Sequence, residues 1–309
     1  MSAAPSTKPT RPLWRTILIR SLGIVALLVV LAVTAVYAVS ESRLRKIYPI
    51  AAKDLELPET GASVGRGEHL VHSVASCTLC HGDDLGGTVY ADMGPIGIVA
   101  GPNLTRGRGG VGQGNVRADW IRAIRYGVRG DGTSLIMMPS EVFTNMSNAD
   151  LASIVAYLTS LPPVDREMPR SRFKFLGRAL LAAGRLDILV APKTHHSPAT
   201  ENAAPSSAIE RGRYLADISG CHGCHGYGLS GGHVAGPPGL PPAANLTPAG
   251  LGSWSAQDFE RAIRTGRRPD GTAINDFMPW RVYSTMSDDD LSSLWAYLRS
   301  VPPKASGNK

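Results

Sequence analysis

Cysteine is scarce in this sequence, with four residues in 309. All four fall into two identical spacings, so none is left to supply a separate thiolate nucleophile or an unusual iron ligand. Strand-like alternation is also missing, which argues against a sheet-based fold. Nor does the net charge of +7 form a basic face. It divides into +6 over residues 1–46, −3 over 47–163, +3 over 164–207 and +1 over 208–309. A basic balance concentrated in one end and one linker is no footprint for nucleic acid.

What is present is Cys-x-x-Cys-His, twice: Cys77-Thr78-Leu79-Cys80-His81 and Cys221-His222-Gly223-Cys224-His225. Two thiols at this spacing can each form a thioether with one haem vinyl group, and the next residue brings an imidazole to the iron. A zinc site, a dithiol switch or structural disulfides could use the same cysteines. None of them explains a histidine directly after each pair.

The motifs stand 144 positions apart, 77 to 221, and the flanking sequence repeats with them. Each unit has Gly-x-x-Leu (from Gly67 and Gly212), Asn-Leu-Thr (Asn103, Asn245), Arg-Ala-Ile-Arg-x-Gly, Asp-Gly-Thr, Met-Pro, Met-Ser and a closing Ala-Tyr-Leu. Duplication of one small domain accounts for this. The pattern predicts helices. Leu151, Ile154, Val155 and Leu158 share one helical face, as do Leu291, Leu294, Trp295 and Leu298. Pro162-Pro163 and Pro302-Pro303 stop these helices. Gly127 and Gly266 read as left-handed C-caps, and Ser207 with Glu210 as a capping box.

Two matched methionine pairs compete for the sixth iron position. Met146 and Met286 precede Ser147 and Ser287, which read as N-caps with Asp150 and Asp290 at N3. That places these methionines to staple onto Leu151 and Leu291. Met138 and Met278 each precede a proline in a loop and are the expected axial ligands. Met137 is the rival for the first iron, with Phe277 in its place in the second unit. A His/Met pair closes both axial positions and raises the reduction potential, which suits electron transfer. The other histidines form no second ligand set. His69 and His72 face Tyr214 and Asp217 in the repeat and are expected to be exposed or locally hydrogen-bonded. His195-His196 falls in a linker, His233 in a Gly-rich loop, and His222 is expected to face solvent.

On these residues each unit resembles a class I cytochrome c domain. The resemblance implies an all-α fold, two tandem class I cytochrome c domains carrying two covalently bound haem c groups. They would be held by Cys77, Cys80, His81 and Met138, and by Cys221, Cys224, His225 and Met278. It also implies that the first and last helices cross at the glycine, and that the backbone carbonyls of Pro102 and Ala244 orient the two proximal histidines. The Met278-Pro-Trp280, Met286-Ser-Asp-Asp-Asp-Leu291 and Trp295-Ala-Tyr-Leu segments resemble cytochrome c subunits of periplasmic alcohol, sugar or aldehyde dehydrogenases. Those typically hold three haem domains against two here.

Leu22 to Val39 is an 18-residue, mostly apolar run, about 27 Å as a helix and close to the thickness of a bilayer core. Lys8, Arg11, Arg15 and Arg20 before it favour a cytoplasmic N-terminus. Val36-Tyr37-Ala38 would serve as a signal-peptide cleavage site, but the run exceeds a usual h-region and favours an uncleaved anchor. The expected plan is a tail and transmembrane anchor (1–46), domain 1 (47–163), a linker with an amphipathic helix (164–207) and domain 2 (208–309). That helix, drawn from Phe173 to Val190, is expected to pack between the two haem domains, with the membrane surface as the other option. The expected function is a dihaem electron carrier, single-pass in the bacterial inner membrane with its haem domains in the periplasm. It would link a dehydrogenase donor to a terminal oxidase or soluble cytochrome, with no catalytic residues and no nucleic-acid partner. A stable subunit of a dehydrogenase complex is one alternative. A haem enzyme, such as a peroxidase or a sulfur-compound dehydrogenase, is the other.

Overall fold

In the computed structural model, residues 13–50, 55, 61–194, 205–234 and 239–307 are described. The N-terminal tail with Lys8 and Arg11, His195-His196 and most of the expected tether before Ser207 lie outside them.

The long apolar run forms helix α1, Leu13–Leu44, 32 residues with none of its apolar window buried. It is the one helix among the described residues long and apolar enough to cross a membrane. At 1.5 Å per residue it is about 48 Å long, so it outruns the bilayer core and carries Glu41 and Arg43 beyond the apolar section.

Each unit is built on two crossing helices, α2 (Gly61–His69) with α6 (Asn148–Ser160), and α9 (Ala208–Ile218) with α14 (Asp288–Ser300). The crossings centre on the repeated glycines. A Cβ on Gly67 would sit 2.0 Å from the Ser153 carbonyl oxygen, and one on Gly212 1.9 Å from that of Ser293. Tyr157 and Tyr297, from the repeated Ala-Tyr-Leu, complete each contact. Ser147 and Ser287 accept the backbone N–H of Asp150 and Asp290, as the N-cap reading expected. The expected C-caps are left-handed, with φ of +64° at Gly127 and +67° at Gly266, ending α4 (Arg117–Tyr126) and α12 (Ala256–Thr265).

The units differ at one turn. From glycine to first cysteine is ten residues in unit one and nine in unit two. The extra residue is absorbed as a π-turn, Leu70–Val74, in which Ala75 N–H reaches back five residues to Leu70 O at 2.7 Å. In unit two Ser219 N–H bonds four residues back to Leu215. A single insertion inside a helix produces this widening.

The helical expectation needs one addition. A small antiparallel sheet, β1 (Thr88–Asp92), β2 (Gly97–Gly101) and β3 (Arg172–Phe173), lies beside the first Cys-x-x-Cys-His. A bulge between Val89 and Ala91 breaks its alternation, and Gly94, Gly97 and Gly101 interrupt its side-chain pattern. A strand with no clean period of two carries no sequence signal. Because β3 belongs to the linker, the fold of unit one continues past Pro163.

The linker helix also differs from expectation. It is shorter, α7 (Phe175–Ala182), and it packs against the C-terminal end of α1 instead of between the units. Gly177 lets its backbone approach Ile96, where a Cβ would lie 2.2 Å from the carbonyl oxygen. After a loop, α8 (Ala191–Thr194) closes against Tyr126 through the Thr194 hydroxyl, 2.5 Å from the Tyr126 carbonyl oxygen.

Candidate haem sites

The two motifs form short helices, α3 (Thr78–His81) and α10 (Cys221–His225), at the end of the first helix of each unit. The chain enters α10 through Gly220 at φ +74° and α3 through Ser76 at φ +53°. It leaves through Gly82 and Gly226, both near φ +77°. Only glycine adopts these turns without strain, so Ser76 holds a conformation that costs about 1 kcal/mol or more. None of the four cysteines forms a disulfide. Burial pushes the Cys77 and Cys221 thiols up to about 12, and Cys80 up to about 11. A reactive dithiol needs the opposite shift, so the arrangement argues against one.

The histidines of the two motifs are held alike. His81 Nδ1 donates to the Pro102 carbonyl at 2.9 Å, and His225 Nδ1 to the Ala244 carbonyl at 2.8 Å. Both acceptors are those the resemblance implied, and alanine serves as well as proline because the acceptor is backbone. With Nδ1 committed, Nε2 is the ring nitrogen that could reach a metal. Burial lowers the pKa of His81, with the Pro102 bond opposing it, which favours the neutral, ligating form.

The loops carrying these carbonyls are pinned by the repeated Asn-Leu-Thr. Asn103 donates to Val164 O at 2.6 Å and accepts from Thr105, and Asn245 donates to Lys304 O at 2.7 Å and accepts from Thr247. Close approach is built in at Gly101, where a Cβ would lie 1.8 Å from Cys80 O.

Met138 and Met278 sit half-buried against the apolar core, ahead of two more one-turn helices, α5 (Ser140–Phe143) and α13 (Trp280–Tyr283). Met146 and Met286 are 0% and 2% exposed, which is consistent with capping and leaves no room for a ligand to reach them. Met137 is 37% exposed, with φ +59°. Its neighbour Met138 is the one packed against the core. Buried Arg125 anchors the first methionine loop through the Met146 carbonyl at 2.6 Å, and Arg264 repeats this on Met286 at 2.5 Å.

Sequence reasoning missed the contact between the units. The core is continuous through both, and the interface is reciprocal. Helix α5 of unit one packs on α9 of unit two, while α13 of unit two packs on the π-turn of unit one. Val142 faces Gly220, next to Cys221. Arg66 binds Asp150 with two 2.9 Å bonds, and Tyr214 of the other unit donates to the same carboxylate at 2.7 Å. The mirror set is Arg211 on Asp290 at 2.8 Å with His69 at 2.6 Å. His69 is therefore a cross-unit partner, neither exposed nor local. Tyr214, its counterpart in the repeat, was the signal that could have found this. His72 bonds locally to Tyr157 at 2.9 Å, as expected. His222 does not face solvent. It pairs with Asp217 at 2.9 Å and stacks on Tyr227.

Two thiols, an oriented imidazole and a thioether recur in each unit on matching elements, and the family comparison agrees with them. The family model for cytochrome c matches residues 64–162 and 209–302. The chain belongs to the cytochrome c family. Such domains carry covalently bound haem c, and the donor set present here fits that group twice over.

Among its relatives, this cytochrome is similar to the cytochrome subunit of fructose dehydrogenase from Gluconobacter japonicus, 30% identical over 267 residues, 79% of this chain and 53% of the relative. It is also similar to the cytochrome c subunit of a quinone alcohol dehydrogenase from Gluconacetobacter polyoxogenes, 32% identical over 277 residues, 81% of this chain and 57% of the relative. A dihaem c-type cytochrome of Cereibacter sphaeroides is 31% identical over 205 residues, 60% of this chain and 65% of the relative. The chain thus spans about half the length of the dehydrogenase subunits it matches.

Proposed function

We propose that this protein is a membrane-anchored, periplasmic dihaem cytochrome c that passes single electrons from a dehydrogenase toward a terminal oxidase or soluble cytochrome. The observation that carries this reading is the duplicated, closed donor set. In each unit a histidine fixed by a backbone carbonyl is matched by a methionine on a loop packed against the core. When bound, haem c supplies a one-electron iron couple.

The side chains do the rest. Cys77 with Cys80, and Cys221 with Cys224, would hold the group by thioethers, and His81 with Met138, and His225 with Met278, would supply its nitrogen and sulfur ligands. Arg125 and Arg264 pin the chain that follows each methionine loop through the Met146 and Met286 carbonyls, which would help hold those loops in place. Helix α1 supports the anchoring, and the basic residues before it support an outward orientation of both units. The dehydrogenase relatives favour a second form of the same reading, in which the cytochrome stays bound to a catalytic subunit as part of a complex.

The test is the absorption spectrum of the purified full chain, with haem counted per chain and carbon monoxide added after reduction. Two low-spin haems, each with the far-red Met-to-iron band and neither taking carbon monoxide, are expected. A haem that binds carbon monoxide would refute the closed-ligand reading and point to enzyme chemistry.

A further inference from the structure

We propose that α7 and the residues beside it form a shelf that rests on the lipid bilayer, fixing unit one at the surface of the membrane that α1 enters. This rests on α1 being a membrane anchor.

The argument starts from level. Tyr37 lies two residues inside the end of the apolar run, and the Phe175 ring stands 6.5 Å from it. Phe175 and Leu176 therefore sit at the height where the apolar run stops, which is the boundary between acyl chains and headgroups. Both are large, apolar and uncovered, at 50% and 43% exposure. They continue the outward-facing surface of α1, whose apolar side chains are likewise unburied within the protein. A soluble face would leave this patch in water, whereas a bilayer in contact with α1 already reaches it.

The second observation is where the charges lie. Glu41 is the only acidic residue of α1. It is neutralised by Arg178 of α7 at 2.8 Å, whose guanidinium also lies 5.0 Å from the Tyr37 ring centre. Arg43 of α1 donates to Leu181 O of α7 at 2.7 Å, so the two helices move as one body. Around this clamp Arg45, Lys46, Arg172, Lys174 and Arg185 are exposed. A cavity of about 300 Å³ opens beside it, lined by Arg43 and Lys46 over Leu181, Leu186 and Leu189, with Asp187, paired to Lys193 at 3.2 Å, at its edge. Aromatic and aliphatic side chains at the boundary, with cations just above them, match the chemistry of a headgroup layer whose phosphates are anionic. The shelf is too short to bind a membrane alone. Its part is to set tilt and height once α1 is inserted.

The experiment uses the full haem-loaded chain in nanodiscs containing anionic phospholipid. A photoreactive benzoylphenylalanine is installed at one position per variant, and lipid adducts are read by mass spectrometry. Position 27, in the middle of α1, reports anchoring, and position 300, exposed in unit two, is the aqueous control. The expected result is lipid adducts at 27, 175 and 176 and none at 300. Adducts at 27 but not at 175 or 176 would overturn the shelf and leave the anchor standing. No adduct at 27 would overturn the anchor, and the shelf with it.

Discussion

Replacing Gly67 by alanine sets two effects of known size against each other. Alanine is the better helix former by about 1 kcal/mol, so an unhindered site would gain stability. Here the new Cβ would lie 2.0 Å from the Ser153 carbonyl oxygen and 2.8 Å from the Tyr157 Cβ. A carbon and a carbonyl oxygen ordinarily approach no closer than about 3.3 Å, so α2 and α6 would have to part by more than 1 Å. What blocks the methyl is backbone, which cannot swing aside as a flexible side chain would. Overpacking of this kind costs about 1–3 kcal/mol, and a clash with backbone belongs at the upper end. The net loss expected is about 2 kcal/mol, or about 4–8 °C in Tm for two units that share one core.

Gly65, two residues earlier on the same helix, has nothing within 4 Å of its ideal Cβ. Gly65→Ala should therefore raise Tm by a few degrees, since only the propensity gain remains. The assay is thermal unfolding of the full chain, followed by far-ultraviolet circular dichroism and Soret absorbance. A Gly67→Ala protein that melts at or above the parent temperature would refute the crossing geometry.

Met138→Ala should abolish the far-red Met-to-iron band of one haem and open it to carbon monoxide, while Met137→Ala leaves both spectra as they were. The reverse result would move the first axial ligand to Met137. Pro102→Ala should leave the His81 ligation spectrum intact, because Ala244 already serves as the acceptor in unit two; loss of low-spin character would show that the ring itself is needed. Burial alone would raise the Asp290 pKa, but bonds from His69, Arg211 and Ser287 outweigh it and hold the carboxyl far below the usual carboxylate range. Its contribution to stability is therefore complete above about pH 4 and is lost as pH falls toward the folded value. Asp290→Asn should flatten the acid limb of a stability profile measured by denaturant titration between pH 6 and pH 2, and an unchanged limb would count against the pairing. His69→Ala combined with Tyr214→Phe should leave each haem spectrum unchanged but loosen the unit interface, which small-angle scattering would register as a larger radius of gyration. An unchanged profile would show that the apolar contacts suffice.

Most of each unit was legible because its signals are local. The caps at Ser147, Ser287, Gly127 and Gly266 need only a few neighbouring residues to be recognised. The structural role of Met146 and Met286 was legible because the caps around them disclosed it. The sheet was not legible, since the bulge at Val89 and the glycines of β2 erase the alternation that would announce it. Nor was the placing of α7, because an amphipathic helix shows that it has a face to bury and not which surface will cover it. The pairing of His69 with Asp290 joins residues 221 positions apart. Periodicity has no reach over that separation. Comparing the repeat with itself does, since a histidine and a tyrosine at matching positions can both donate to a carboxylate.

The reciprocal packing of α5 and α13 changes what the duplication amounts to. Two copies strung in a row could be separated, reordered or lost one at a time, each keeping its own properties. In this chain the turn that follows one methionine forms part of the wall behind the other unit's cysteine pair, and the arrangement holds in both directions. A half expressed alone would lack a side of its own pocket, and a substitution in one methionine loop would be felt at the neighbouring centre. The two halves thus form a single packed object, and a change in either turn bears on both.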